Sequence, residues 1–365
     1  MHLREENLSA CISSLLAERN LLKMKVIGIG DLLIPSQYIE KGFSIFRDSG
    51  AELSVVDWQL KNQEELQNIN LQIEQYGSEA YSVQDELLEQ IKYADILITQ
   101  FCPINKKVMD ACANLKAIGI LRGGCENVNL EAAYEKNILV YNTPGRNSSA
   151  VADFTVGMLI AECRNIARSH ANLKEDKWVR EYTNKEYIPD LEGRTAGIIG
   201  LGTIGRKVAK RLQAFGMKIL GYDPFSTELP EYIKTDSLEN TVRNADFLLL
   251  HSRMTADTKH MINAEILKLM KPAAYLINTA RSGLVDEKAL YEVLDKRKIA
   301  GAALDVFDEE PLPCGYALAA LPNVTITPHL AGSTTDAFLH SPYLLAQEMA
   351  PFLSGDATSK YIINK

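Results

Sequence analysis

Short apolar runs alternate with helix-period segments along nearly the whole chain. In the first part, "KVIGI", "LSVVD", "DILITQ", "LKAIGIL" and "ILVYN" read as strands. Helical patterns such as "VQDELLEQIKYA" and "LEAAYEKN" lie between them. After "NTPGRN" comes one long helical pattern, "SAVADFTVGMLIAECRNIARSHANL", long enough to bridge two domains. The polar stretch "DKWVREYTNKEYIPDLEGR" then separates a second alternation, with strands "TAGIIG", "KILGYD", "DFLLLH", "AYLINTAR", "AGAALD" and "VTITPH". A last helical pattern, "DAFLHSPYLLAQEMAPFLSG", contains Pro342, expected to kink or restart the helix. Repeated strand–helix alternation predicts an α/β protein with parallel sheets.

The second alternation opens on "GIIGLGTIGRKVAKRLQAFG", where Gly200, Gly202 and Gly205 fall between a strand and a helix. Val208, Leu212 and Phe215 give that helix an apolar face, and Gly216 is a plausible stop. A dinucleotide pyrophosphate needs a tight turn, close backbone approach and free amides at a helix start, and this stretch offers all three. The next strand ends at Asp223, about 20 residues on, where an acid accepts bonds from a ribose and repels a 2′-phosphate. NAD is the expected cofactor. "VIGIGDLL", near residue 26, lacks the third glycine and reads as an ordinary strand end.

The 365 residues are enough for two domains with substantial cores. A net charge of −8 points away from nucleic acid or an anionic membrane surface as the main partner. No apolar run reaches the length of a membrane span. The opening "MHLREENLSACISSLLAERNLLKMK" reads as an amphipathic helix, since it lacks the basic start, single apolar block and cleavage site of a signal peptide. Six cysteines without a CxxC pair or a Cys/His cluster suggest reduced thiols and no structural metal, and so a cytoplasmic protein. Cys125, preceded by glycines, is either a nucleophile or a small residue on a tight loop, and no histidine lies near it in sequence.

Open α/β sheets bind ligands beyond the carboxyl ends of their strands. Read to their last residues, the later strands deliver Asp223, His251, Arg281, Asp305 and His329 to that edge. Five successive polar or ionisable ends are hard to explain by structure alone.

"GIIGLGTIGRKVAKRL", "LLLHSRMTADTKHMIN", "LINTARSGLVDEKAL", "GAALDVFDEEPLP" and "ITPHLAGST" together resemble the D-isomer-specific 2-hydroxyacid dehydrogenases. That family includes phosphoglycerate, glycerate/glyoxylate, D-lactate and formate dehydrogenases. The similarity runs from about residue 25 almost to the C-terminus. It implies two Rossmann-like domains with a cleft between them: a flavodoxin-like substrate domain and a doubly wound NAD-binding domain. The expected boundaries are a helical extension over 1–24, a substrate domain over 25–163 plus 331–365, and an NAD domain over 164–330. Closure of the cleft is expected to exclude water.

The resemblance also assigns chemistry. Arg281 matches the arginine that forks onto the carboxylate and carbonyl oxygen of a 2-oxo acid, a geometry lysine cannot reproduce. His329 matches the general acid/base, and Glu310 matches the glutamate that hydrogen-bonds this imidazole and fixes its tautomer. A glutamine replaces that glutamate in formate dehydrogenases, so Glu310 favours 2-hydroxy/2-oxo acid chemistry. Asp305 matches the residue facing the nicotinamide carboxamide, while Asp308 and Glu309 read as solvated charge. Thr203 and Ile204 are expected near the pyrophosphate; His251, Thr255, Thr279, Ala280 and Gly332 are expected along the cofactor cleft. Asn147 corresponds to a residue near the substrate, and the backbone of Arg122, Gly123 and Gly124 to the loop that holds its carboxylate.

Two departures stand out. Arg253 replaces a common proline, which alters the expected backbone beneath the adenine. Arg122 replaces a small or apolar residue, and either binds an extra anionic group of the substrate or pairs with an acid of its own domain. By analogy with the family the chain is expected to form a homodimer. An NAD-sensing regulatory protein, like the family's corepressor branch, is the alternative to an enzyme.

Overall fold

The computed structural model describes residues 24–365, so the expected N-terminal helix lies almost wholly outside the described residues. The chain divides into two compact units, one running to Arg146 and resuming at Thr335–Lys365, the other Asn147–Thr334.

The first unit is built on strands β1 (Lys25–Gly30), β2 (Glu52–Asp57), β3 (Ile96–Thr99), β4 (Ala117–Ile120) and β5 (Leu139–Tyr141). They pair in the order β2-β1-β3-β4-β5, all parallel. β3 and β4 are buried throughout, as their unbroken apolar runs require of strands covered on both faces. Helix Gln63–Tyr76 starts where the Asn62 side chain accepts the Glu65 amide, and Leu66, Ile69 and Ile73 turn its apolar face inward. Helix Thr335–Leu353 packs on this sheet, and a Cβ added at Gly119 would lie 2.6 Å from the Met349 sulfur. That helix continues through Pro342 as a single element. Pro342 has no amide for the Phe338 carbonyl, but the Ser341 hydroxyl donates to that oxygen at 2.7 Å.

The second unit carries β6 (Thr195–Ile199), β7 (Lys218–Tyr222), β8 (Ile233–Thr235), β9 (Phe247–Leu250), β10 (Tyr275–Asn278), β11 (Gly301–Leu304) and β12 (Val324–Ile326). Their order is β12-β11-β10-β9-β6-β7-β8, again all parallel. The sheet therefore has seven strands and not the six read from the sequence. β8 is a three-residue edge strand with one buried side chain, too short to show a pattern. The strand order reverses between β6 and β9, the position where doubly wound sheets bind nucleotides.

Two expectations for residues 148–174 change. The single long helix is two, Ser148–Cys163 and Ile166–Lys174, separated at Asn165, whose backbone is left-handed (φ 57°). Asparagine tolerates that conformation better than most residues. The first of these helices also belongs to the second unit, so the division falls after Arg146 and not at residue 163. Ala152, Val156, Leu159 and Cys163 share one core with Ala196, Val208 and Ala303. Lys207 adds bonds to the hydroxyls of Ser148 and Ser149, and Arg211 adds an ion pair with Asp153.

Candidate active site

Each glycine of the loop after β6 has a separate reason. Gly200 is left-handed (φ 93°), and a Cβ there would lie 2.6 Å from the backbone of His251 and Ser252. A Cβ at Gly205 would meet the Gly200 carbonyl oxygen at 2.0 Å, so only glycine lets the helix approach the loop. A Cβ at Gly202 would meet nothing within 4 Å. Gly202 is the N-cap of helix Thr203–Ala214, and no side chain among the described residues caps it. Open space above an uncapped helix start suits a pyrophosphate.

Asp223, just beyond β7, accepts from the Leu201 amide (2.8 Å), the Ser226 hydroxyl (2.9 Å) and the Phe225 amide (2.9 Å). Burial works against its charge, but these donors hold the carboxyl below its ordinary value. It thus ties the glycine loop to the end of β7. The residues present fit a dinucleotide with an acidic ribose contact.

Beyond β9, both ring nitrogens of His251 are buried with no hydrogen-bond partner among the described residues, and burial pulls the ring down to about 4. Arg253, at the position of the common proline, is exposed, and its carbonyl accepts the Thr258 hydroxyl at 2.7 Å. Thr258 also accepts the Thr255 amide, so the turn closes without proline.

At the end of β10, the Asn278 side chain accepts the Ala280 amide (3.1 Å) and donates to the Arg281 carbonyl (2.9 Å). This local bridge shapes the turn that presents Arg281 to solvent. Thr279 is buried against Thr155, their hydroxyls 2.7 Å apart. Neither Asn278 nor Thr155 was singled out by sequence reasoning; the signal for Asn278 is one amide closing an apolar strand.

Asp305 is fully buried at the end of β11. Its carboxylate accepts from the Thr327 hydroxyl (2.5 Å) and the amides of Leu330 (2.9 Å) and Ala331 (2.8 Å). Both oxygens are therefore engaged in holding the loop that carries His329, a contact the expected nicotinamide role did not foresee. His329 itself has a left-handed backbone (φ 53°). Its Nδ1 lies 2.8 Å from Glu310 Oε2, while Glu310 Oε1 accepts the Phe307 amide at 2.9 Å. Glu310 is thereby fixed at both oxygens, and the other ring nitrogen of His329 has no partner among the described residues. Asp308 and Glu309 are exposed, as expected of solvated charge. A Cβ at Gly332 would meet the Asn147 amide nitrogen at 2.3 Å, so Asn147 stands against the same loop.

In the first unit, the loop after β4 is held by Asn142, which donates to the Gly123 carbonyl at 2.7 Å. The Arg122 side chain donates to Asn70 (2.9 Å), Glu74 (3.0 Å) and Glu126 (3.2 Å) and lies over the Phe101 ring. Of its two expected roles, pairing with acids of its own domain is the one observed. Burial, then the Glu126 charge, pushes the Cys125 thiol above its ordinary value, the reverse of an activated nucleophile.

Residues 156–331 match the NAD binding domain of the D-isomer specific 2-hydroxyacid dehydrogenases, and residues 54–228 match their catalytic domain. The chain is 41% identical over 283 residues to the D-3-phosphoglycerate dehydrogenase of Methanocaldococcus jannaschii, covering 76% of this chain and 53% of that protein. It is 39% identical over 284 residues to the hydroxypyruvate reductase of Thermotoga maritima, covering 76% and 88%. Among solved structures, the TT0316 protein of Thermus thermophilus aligns with a TM-score of 0.67 and 33% identity, over 91% of this chain and 97% of that one. The match thus spans about half the length of the phosphoglycerate dehydrogenase and most of the reductase. The chain belongs to the D-isomer specific 2-hydroxyacid dehydrogenase family.

Proposed function

We propose that the protein interconverts a D-2-hydroxy acid and its 2-oxo acid. The observation that carries this reading is the pairing of His329 Nδ1 with a doubly anchored Glu310, on the same sheet edge as the exposed Arg281. Gly202, Thr203 and Ile204 would receive the pyrophosphate of NAD, and Asp223 the adenosine ribose. His251, Thr255, Thr279, Ala280 and Gly332 would line the same site. The bound cofactor supplies the hydride to C2 in one direction and takes it in the other.

The remaining work falls to this chain's residues. Arg281 binds the carboxylate and the C2 oxygen together, which orients the acid and stabilises charge growing on that oxygen. His329 delivers a proton to this oxygen from Nε2, and in the reverse direction removes it. Glu310 keeps Nδ1 hydrogen-bonded, so the tautomer is set and Nε2 is the working atom. Asp305 holds the His329 loop in place. The amides of Gly123 and Gly124 are proposed as further carboxylate donors, and Asn147 as a residue near the substrate.

A homodimer in the cytoplasm is the proposed setting. Ile166, Leu173, Trp178, Val179 and Ile188 expose apolar surface along one segment of the second unit, which supports self-association. NADH oxidation with a panel of 2-oxo acids tests the activity: turnover of at least one member, abolished by Arg281→Ala with NADH affinity retained, is expected. A protein inert to the whole panel is not this enzyme.

A further inference from the structure

Resting on the activity proposed above, we infer that Thr155 is a positioning residue: it makes the Thr279 hydroxyl an acceptor only, and that acceptor receives the amide N–H of the nicotinamide carboxamide. Two short contacts set the direction. Thr155 is fully buried in helix Ser148–Cys163, and its Oγ1 lies 2.7 Å from the Val151 carbonyl oxygen and 2.7 Å from Thr279 Oγ1. A carbonyl has no proton to give, and two oxygens this close need one between them. The single Thr155 proton is therefore spent on Val151, the carbonyl four residues back, a bond that threonines in helices commonly make. The proton between the two threonines must then come from Thr279. Having given it, Thr279 meets any further partner with lone pairs alone.

The place of Thr279 indicates that partner. Asn278 pairs with Leu304, so Thr279 stands abreast of Asp305 where β10 and β11 end. Arg281 follows two residues on, no more than about 7 Å along the backbone. Thr279 is thus at the reacting end of the site, all of it within the second unit. A 2-oxo acid presents a carboxylate and a ketone, both acceptors, which a hydroxyl without a free proton does not bind. The carboxamide presents N–H donors on the ring that carries the hydride. Asp305 already takes three protein donors, whereas both lone pairs of Thr279 are unused among the described residues. Packing holds the arrangement, since Ala152, Val156 and Ile277 beside the two threonines share one core.

The competing structural reading makes the two hydroxyls a staple between helix and strand, indifferent to what the cofactor carries. Fluorescence titration with NADH and with its reduced 3-acetylpyridine analogue, in which a methyl ketone replaces the amide, separates the two. The wild type is expected to bind NADH about 3- to 10-fold more tightly than the analogue, and Thr279→Val to bring that ratio close to one. Thr155→Val removes the acceptor of the Thr279 proton, which then turns toward the cofactor, so the ratio should fall there too. Thr155→Ser and Thr279→Ser keep the hydroxyls and should keep the ratio. Should Thr155→Val fail to fold in a thermal melt, Thr279→Val against Thr279→Ser decides the matter. A wild type without preference, or valine variants that weaken both nucleotides alike, overturns the inference, as does a protein that binds neither. Affinity is read without turnover, so a protein inert to every 2-oxo acid would lose the proposed activity and leave this measurement valid.

Discussion

Glu310 meets His329 with one carboxylate oxygen, 2.8 Å from Nδ1, and fixes itself with the other on the Phe307 amide. A side chain anchored at both ends orients the imidazole without a search over rotamers. Glu310→Gln keeps the shape and replaces the charge. We expect kcat to fall about 10²- to 10⁴-fold with NADH affinity retained, and its pH profile to change. Steady-state kinetics across pH 5–9 check this, and an unaltered profile counts against the assignment.

Arg281 is exposed on a turn that Asn278 shapes from beneath. Arg281→Lys preserves charge but loses the fork, so kcat/KM is expected to drop about 10²-fold or more. Asn278→Ala acts through the turn: it should lower kcat for all substrates alike, by a smaller factor. Equal kinetics for wild type and Arg281→Lys would show that two-point binding is not used.

The glycines of the loop after β6 make a graded set. Gly200→Ala and Gly205→Ala place a methyl at 2.6 and 2.0 Å from backbone atoms, so both should lower the melting temperature by several degrees. Gly202→Ala adds its methyl to open space. It should fold normally and weaken NADH binding, because the methyl enters the space above the helix start. Thermal melts and fluorescence titration together read the difference.

Asp305→Ala would leave the Thr327 hydroxyl and the Leu330 and Ala331 amides without their acceptor in a fully buried position. The expected cost is about 3–5 kcal/mol, with the His329 loop loosened. Chemical denaturation measures the stability, and hydrogen exchange at residues 327–332 shows whether the loss is local.

Two buried groups give stability opposite slopes with pH. Asp31, pushed up to about 6 by burial, holds a proton that the unfolded chain has lost. Its contribution therefore falls as pH rises from about 4 to 6, by about 3 kcal/mol in all. His251, pulled down to about 4 by burial, lacks a proton that the unfolded chain gains. Its contribution is present above about 6.5 and is lost as pH falls toward 4. The difference in unfolding free energy between Asp31→Asn and wild type should thus move in the variant's favour from pH 4 to pH 7, and a flat difference contradicts the burial argument.

Much of this was legible in the sequence because apolar runs end where strands end. Asp223, His251, Arg281, Asp305 and His329 each close such a run, and the structure places them at or just past the ends of β7, β9, β10, β11 and β12. Periodicity says where a strand stops but not which way the last side chain turns. Hence nothing in the pattern shows that the Asp305 oxygens take the amides of a loop more than 20 residues away. Arg122 follows the end of β4, and the sequence leaves its two roles open. Only the placement of Glu74, Glu126 and Asn70 shows that it is engaged within its own domain. The break at Asn165 and the short β8 escaped because one left-handed residue and one buried side chain leave no periodic trace.

The central claim, a hydride passed to C2 of a 2-oxo acid with His329 supplying the proton, is tested most directly by isotope transfer. NADH deuterated at C4 of the nicotinamide is incubated with the enzyme and the preferred 2-oxo acid, and the product is resolved by chiral chromatography and mass spectrometry. The account predicts a D-2-hydroxy acid with one deuterium at C2. Product of the L configuration, or product without deuterium at C2, would contradict it.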